Sequence, residues 1–163
     1  MGDVETKLAE IYLQPGEVRL ARRPSILRTV LGSCVGVTFW SPRLSIGALC
    51  HGVLPRCPPG MQGPGGYYYV DFAICELVGQ FDDLGISCGD VHVKVFGGAD
   101  VSGLGERRTR RSVGSQNRQT ALEVLAHHNL TVIASDLGGT IGRSIRFHTG
   151  TGKVFVRRLE QFP

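Results

Sequence analysis

The sequence has no apolar stretch near the roughly 18 residues that a membrane-spanning helix needs. Its opening, MGDVETKLAEIYLQPGEVRL, has no basic start followed by an apolar run. Neither membrane insertion nor secretion is therefore expected. Paired cysteine motifs are also missing: Cys34, Cys50, Cys57, Cys75 and Cys88 are an odd set without a C-x-x-C spacing. That speaks against a disulfide scaffold and fits reduced thiols in a cytoplasm. Cys50, His51, Cys57, Cys75 and Cys88 have the right chemistry for zinc but no paired-ligand spacing, so no metal is expected. The glycine-rich stretches at Gly97-Gly98 and Gly138-Gly139-Thr140-Ile141-Gly142 match neither a P-loop nor a dinucleotide fingerprint. Aromatic residues are only 7% of the chain, and none interleaves with the basic run Arg107-Arg108-Thr109-Arg110-Arg111 to make a stacking platform for nucleic acid.

What is present suits an ordinary globular domain. The 163 residues are 42% hydrophobic and 20% charged, and at this length about two thirds of the unfolded chain's surface can be buried. One domain over 1–163 is the economical reading. Eighteen Lys plus Arg against fourteen Asp plus Glu give a net charge of +4, a mild preference for acidic partners.

Strands are expected within Glu10–Arg22, broken by Gln14-Pro15-Gly16, and over Ser25–Val30. Val35, Val37 and Phe39 alternate with Gly36, Thr38 and Trp40, and Ile46, Ala48 and Cys50 resume the period after a turn at Ser41-Pro42-Arg43-Leu44. The segment 56–66 holds three prolines and four glycines and reads as a mobile loop. Helical spacing of Val70, Ile74, Leu77, Val78, Phe81 and Leu84 predicts a helix over about 69–84, and a second begins near Ser115 and closes at His127-His128-Asn129. Further strands are expected at Val91–Phe96, Leu130–Ser135, Ser144–His148 and Lys153–Leu159. Roughly seven strands and two helices in this order make an α+β fold with hairpins rather than alternating βαβ units.

A symmetric Ser41–Leu44 turn places residues whose numbers sum to 85 opposite one another, so Val35 meets Cys50, Val37 meets Ala48 and Phe39 meets Ile46 on an apolar face. On the other face Cys34 falls opposite His51, within reach of a thiol and an imidazole. Such a dyad suits thiol nucleophiles, because a neighbouring imidazolium lowers the cysteine pKa. Gly32 and Ser33 suit a bend that leaves backbone N–H groups near the sulfur, where they could form an oxyanion hole. A buried Cys34 that only packs and a core His51 that is merely satisfied are the plain alternative.

The segment Thr29-Val30-Leu31-Gly32-Ser33-Cys34-Val35, with His51-Gly52-Val53-Leu54-Pro55 after it, resembles the chemotaxis protein CheD family, the chemoreceptor glutamine deamidases. The likeness continues through Tyr69-Val70-Asp71, Lys94-Val95-Phe96-Gly97-Gly98-Ala99, Gly114-Ser115-Gln116-Asn117 and Asp136-Leu137-Gly138-Gly139 with Gly142-Arg143, covering about 10–159. The resemblance implies an α/β sandwich of two mixed β-sheets with flanking helices, related to glutamine-deamidating toxins. It implies a catalytic triad of Cys34, His51 and Thr29 with Gly32 and Ser33 near the oxyanion, and no cofactor. Implied too are hydrolysis of glutamine side chains on the cytoplasmic helices of chemoreceptors, methylesterase activity on the same acyl carbon, and the CheC phosphatase as a partner. Thr29 would hold a ring nitrogen of His51, although a β-branched residue at a strand end has an equally good packing explanation. The competing reading is a non-catalytic binding or regulatory module whose 107–111 loop holds an acidic protein or nucleic acid; nucleic acid is not expected.

Overall fold

The computed structural model describes residues 7–101 and 112–160. The basic run at 107–111 lies outside them. Nine strands occur among the described residues: β1 (Ala9–Tyr12), β2 (Val18–Ala21), β3 (Ser25–Leu31), β4 (Val35–Ser41), β5 (Ile46–Gly52), β6 (His92–Gly97), β7 (Val132–Leu137), β8 (Arg143–His148) and β9 (Val154–Arg158). Two α-helices join them, α1 (Val70–Asp83) and α2 (Val113–His127). Both sheets are mixed. One has the order β1-β3-β8-β9 and the other β2-β5-β4-β6-β7, with β1 parallel to β3 and β6 parallel to β7.

Alternation along β4 and β5 explains the layering. Val35, Val37, Phe39, Ala48 and Cys50 face α1 and α2, where they are buried with Ala73, Ile74, Leu77, Phe81, Ala121 and Leu125. The opposite face, carrying Leu49, meets Leu27, Leu31, Ile145 and Phe147 of the four-stranded sheet. The small residues on this face are there for room: a Cβ on Gly47 would stand 2.7 Å from the Phe147 ring. The face that carries Gly36, Gly47 and His51 is thus an inter-sheet contact, where each fully buried large apolar side chain contributes about 1.5–3 kcal/mol.

Several elements depart from the sequence reading. Gln14-Pro15-Gly16 separates two strands as read, and it carries the chain from one sheet to the other, because β1 pairs with β3 while β2 pairs with β5. Helix α2 starts two residues early, since the Ser112 hydroxyl accepts from the Ser115 N–H and caps it. The Pro/Gly segment is pinned at both ends by the Leu54–Tyr69 bridge and closes in a 3-10 turn at Pro64–Tyr68.

The β4–β5 register also differs. Ser41 pairs with Ile46, Val37 with Cys50 and Gly36 with His51. The turn takes two more residues than expected, because Ser45 adopts a left-handed conformation (φ 51°) and donates its N–H to Ser41 O at 2.8 Å. A slip of two preserves which side chains share a face. It does move Cys34 off the strand and out of the place opposite His51.

Candidate active site

Cys34 ends a three-residue turn, 32–34, that crosses from β3 in one sheet to β4 in the other. Every carbonyl of that turn is held. Gly32 O accepts from Ala99 N at 3.0 Å and Cys34 O from Gly98 N at 2.8 Å, while Ser33 O accepts from the Asn117 side-chain amide at 2.9 Å. Gly97 lies so close beneath the turn that a Cβ there would run into the Cys34 carbonyl, and its φ of +99° suits only glycine. Behind it, Gly138 N donates to Gly97 O and Asp100 N to Gly139 O. The guanidinium of Arg143, fully buried, donates in turn to the carbonyls of Asp136 and Gly138. The glycine signatures after β6 and β7 therefore form a rigid backing for the cysteine turn.

His51 comes from the end of β5, where its N–H donates to Glu17 O and its carbonyl accepts from Gly16 N. Strand alternation aims its ring between the sheets, toward Thr29 of β3. There the imidazole Nδ1 lies 2.7 Å from Thr29 Oγ1. The same hydroxyl lies 2.8 Å from Leu13 O, which can only accept, so its one proton goes there. Thr29 consequently accepts from Nδ1–H, and the lone pair of His51 sits on Nε2. Nε2 is buried and has no hydrogen-bond partner. Burial pushes the His51 pKa from near 6.5 to about 4, the charge of Glu17 opposing the shift only in part. The ring is a neutral, oriented base.

The structure brings His51 and Thr29 into contact and places Cys34 on the turn that follows β3, but the thiol is not hydrogen bonded to Nε2, which has no partner. Partial burial raises the Cys34 pKa above its ordinary value, and its own backbone N–H, which faces the sulfur, counteracts this. The expectation of a thiol acidified by an imidazolium is thus corrected: desolvation favours the neutral form of both groups. Cys50 is no second nucleophile here. It faces the helices on the far side of β5, and burial pushes its pKa up to about 12. Among the described residues, no three or more His, Cys, Asp or Glu side chains are grouped to hold a metal ion.

Sequence reasoning missed two contributors. Leu13, an apolar residue in a connecting segment, matters through its carbonyl, which no side-chain pattern reveals. Asn117, which the sequence places only within the Gly114-Ser115-Gln116-Asn117 signature, reaches two remote segments, Ser33 and Val53.

The family model described as CheD chemotactic sensory transduction matches residues 54–158. The chain is similar to the probable chemoreceptor glutamine deamidase CheD 2 of Geobacter sulfurreducens, 41% identical over 155 residues that cover 95% of this chain and 93% of that protein. It is also similar to the probable chemoreceptor glutamine deamidase CheD of Nitratidesulfovibrio vulgaris, at 38% identity over 97% of this chain and 81% of that one. Among solved structures, the Bacillus licheniformis hypothetical protein YfiH aligns with 76% of this chain and 49% of its own at a TM-score of 0.45 and 14% identity, too remote to bear on function. With a family match over residues 54–158 and relatives aligned along nearly its whole length, the chain belongs to the CheD family.

Proposed function

We propose that this protein hydrolyses glutamine side chains of chemoreceptors to glutamate, with Cys34 as nucleophile, His51 as general base and acid, and Thr29 as the residue that orients the imidazole. The observation that carries the reading is the disposition of the Thr29 proton. Because that proton is committed to Leu13 O, Nδ1 of His51 must donate and Nε2 must be the base. The names of the relatives supply the substrate class.

In the reaction, Nε2 takes the thiol proton as the sulfur attacks the carboxamide carbon. Catalytic hydrogen bonds of this kind often tighten only when substrate is bound. The tetrahedral oxyanion is stabilised by the Cys34 N–H, which faces the sulfur, and by the neighbouring N–H groups of Gly32 and Ser33; such donors are worth about 2.7–4 kcal/mol each. Nε2–H then protonates the nitrogen, ammonia leaves and a thioester remains. Water attacks the thioester with His51 again as base, glutamate departs and the thiol is restored. Thiol, imidazole and water supply every proton and electron pair, so the sequence of steps calls for no cofactor. A glutamyl methyl ester presents the same acyl carbon and follows the same steps to methanol and glutamate.

Because the substrates are the cytoplasmic helices of receptors, the protein acts in the cytoplasm; no helix among the described residues is long and apolar enough to cross a membrane. The CheC phosphatase is the partner this reading adds. The test is mass spectrometry of a receptor cytoplasmic fragment incubated with wild type and with Cys34→Ala. Wild type is expected to convert particular glutamines to glutamate, and Cys34→Ala to leave them as amides. An unchanged fragment with wild type would sink the activity, and turnover by Cys34→Ala would sink the assignment of the nucleophile.

A further inference from the structure

The nucleophile and the base sit on different segments, and no hydrogen bond joins the thiol to Nε2 of His51. The β4–β5 ladder pairs Val35 with Gly52 and Gly36 with His51, and just beyond its end a side chain from a third element ties the two segments together. Asn117, fully buried near the start of α2, donates from its amide nitrogen to Ser33 O and to Val53 O, both at 2.9 Å. Ser33 immediately precedes Cys34, and Val53 follows His51 by two residues. We infer that Asn117 is a positioning residue that fixes the approach of the Cys34 turn to the strand bearing His51; this rests on reading those two residues as nucleophile and base.

The chemistry of the side chain supports a dedicated role. Both partners are carbonyl oxygens, which only accept, so the amide must present its NH₂ to them and turn its oxygen away. That oxygen, Oδ1, is buried without a partner. An unsatisfied buried acceptor is unfavourable, and a leucine of similar volume would avoid it. What leucine cannot do is join two carbonyl-bearing segments. Aspartate has the same shape but presents only acceptors to the two carbonyls.

The rest of α2 keeps Asn117 in place. Gly114 packs so tightly on Ala99 that a Cβ would strike its carbonyl. Arg118 Nη1 donates to Gly98 O at 2.7 Å, and Gly98 N holds Cys34 O. The helix thus grips the cysteine turn from both sides and reaches across to the histidine strand with one residue. In a site of this kind a displacement of 1 Å can cost about 10²-fold in rate.

The experiment compares Asn117→Asp, Asn117→Leu and Asn117→Ser with Leu125→Ala, whose side chain is buried between the helices and the five-stranded sheet, and with Cys34→Ala. Melting temperature, kcat and KM are measured on a receptor helix fragment, and Asn117→Asp is repeated in the His51→Ala background. The two variants without donors are expected to lose about 10²-fold in kcat with KM near wild type, and Asn117→Ser, which keeps one donor, to lose less. Leu125→Ala is expected to melt lower yet keep its kcat. In the His51→Ala background, Asn117→Asp should add little, because the residue acts through the pairing.

Wild-type kcat in a folded Asn117 variant would overturn the inference. So would a loss confined to KM, or a kcat loss that Leu125→Ala reproduces at equal melting temperature. If Asn117→Asp does not fold, the kcat of Asn117→Ser decides between the same outcomes. Turnover by Cys34→Ala would instead overturn the reading of the nucleophile, whatever the Asn117 variants do.

Discussion

Cysteine and histidine come near one another in two regions of this molecule. On the surface, Cys75 of α1 has its Sγ 3.6 Å from Nε2 of His128, beside a cavity of about 400 Å³ lined by Asp71, Glu123 and His127. At the junction of the two sheets, Nε2 of His51 has no hydrogen bond to the Cys34 thiol. By hydrogen bonding alone the surface pair is the better dyad. By organisation it is the poorer one. His51 is buried with one nitrogen tied to Thr29, whose own proton is tied to Leu13, and two segments, 98–99 and α2, hold every carbonyl of the cysteine turn. Around Cys75, burial and the Asp71 carboxylate raise the thiol pKa. The lesson is that a candidate site is recognised by fixed roles and a supporting scaffold rather than by a single hydrogen bond.

The sharpest way to break this comparison is to remove each pair in turn. Cys34→Ala is expected to lower kcat for receptor deamidation by at least about 10⁴-fold, and His51→Ala nearly as much, since nucleophile and base act as a unit. Thr29→Val, which removes the acceptor for Nδ1–H but keeps the branched shape, should cost about 10²-fold, and Thr29→Ser much less. Cys75→Ala and His128→Ala should leave turnover unchanged. Loss of activity in the surface variants, or its survival in those at the sheet junction, would reverse the assignment.

A smaller effect comes from the buried imidazole. The unfolded chain binds a proton at His51 near pH 6.5, but the folded protein resists it until about pH 4. Its contribution to stability is present in full above pH 6.5 and is lost as pH falls to about 4, up to about 3 kcal/mol. Denaturant titrations across that window should show the decline, and His51→Gln should flatten it. An equal decline in His51→Gln would assign it to other groups.

The smallest effect is in thiol labelling. Burial raises Cys34 and Cys50, so no standing thiolate marks the site, and accessibility should set the order with limiting iodoacetamide at neutral pH. Peptide mapping is expected to show exposed Cys75 modified ahead of Cys34, with Cys50 last. Preferential labelling of Cys34 would mean that it rests as a thiolate, and that the base does its work before substrate arrives.

Local pattern in the sequence determined most of the elements: the two-residue period of β4 and β5 and the helical spacing of α1 follow from which side chains must be buried, and both helices and the β8–β9 hairpin lie close to where the spacing puts them. It also marked Cys34, His51 and Thr29, through the hairpin and the family resemblance. Tertiary structure decided what those residues can do. The pairing of Gly36 with His51 depends on a positive φ at Ser45, a residue that gives no sign of it. The division of β1 and β2 between two sheets sets Leu13 beneath Thr29, and so chooses the tautomer of His51. Asn117 reaches Ser33 and Val53 across 84 and 64 positions of the chain. The pKa of His51 is set by the sheets that exclude water from its ring. Burial, hydrogen-bond direction and contacts between distant segments arise only once the layers close, whereas strand and helix periodicity is written residue by residue.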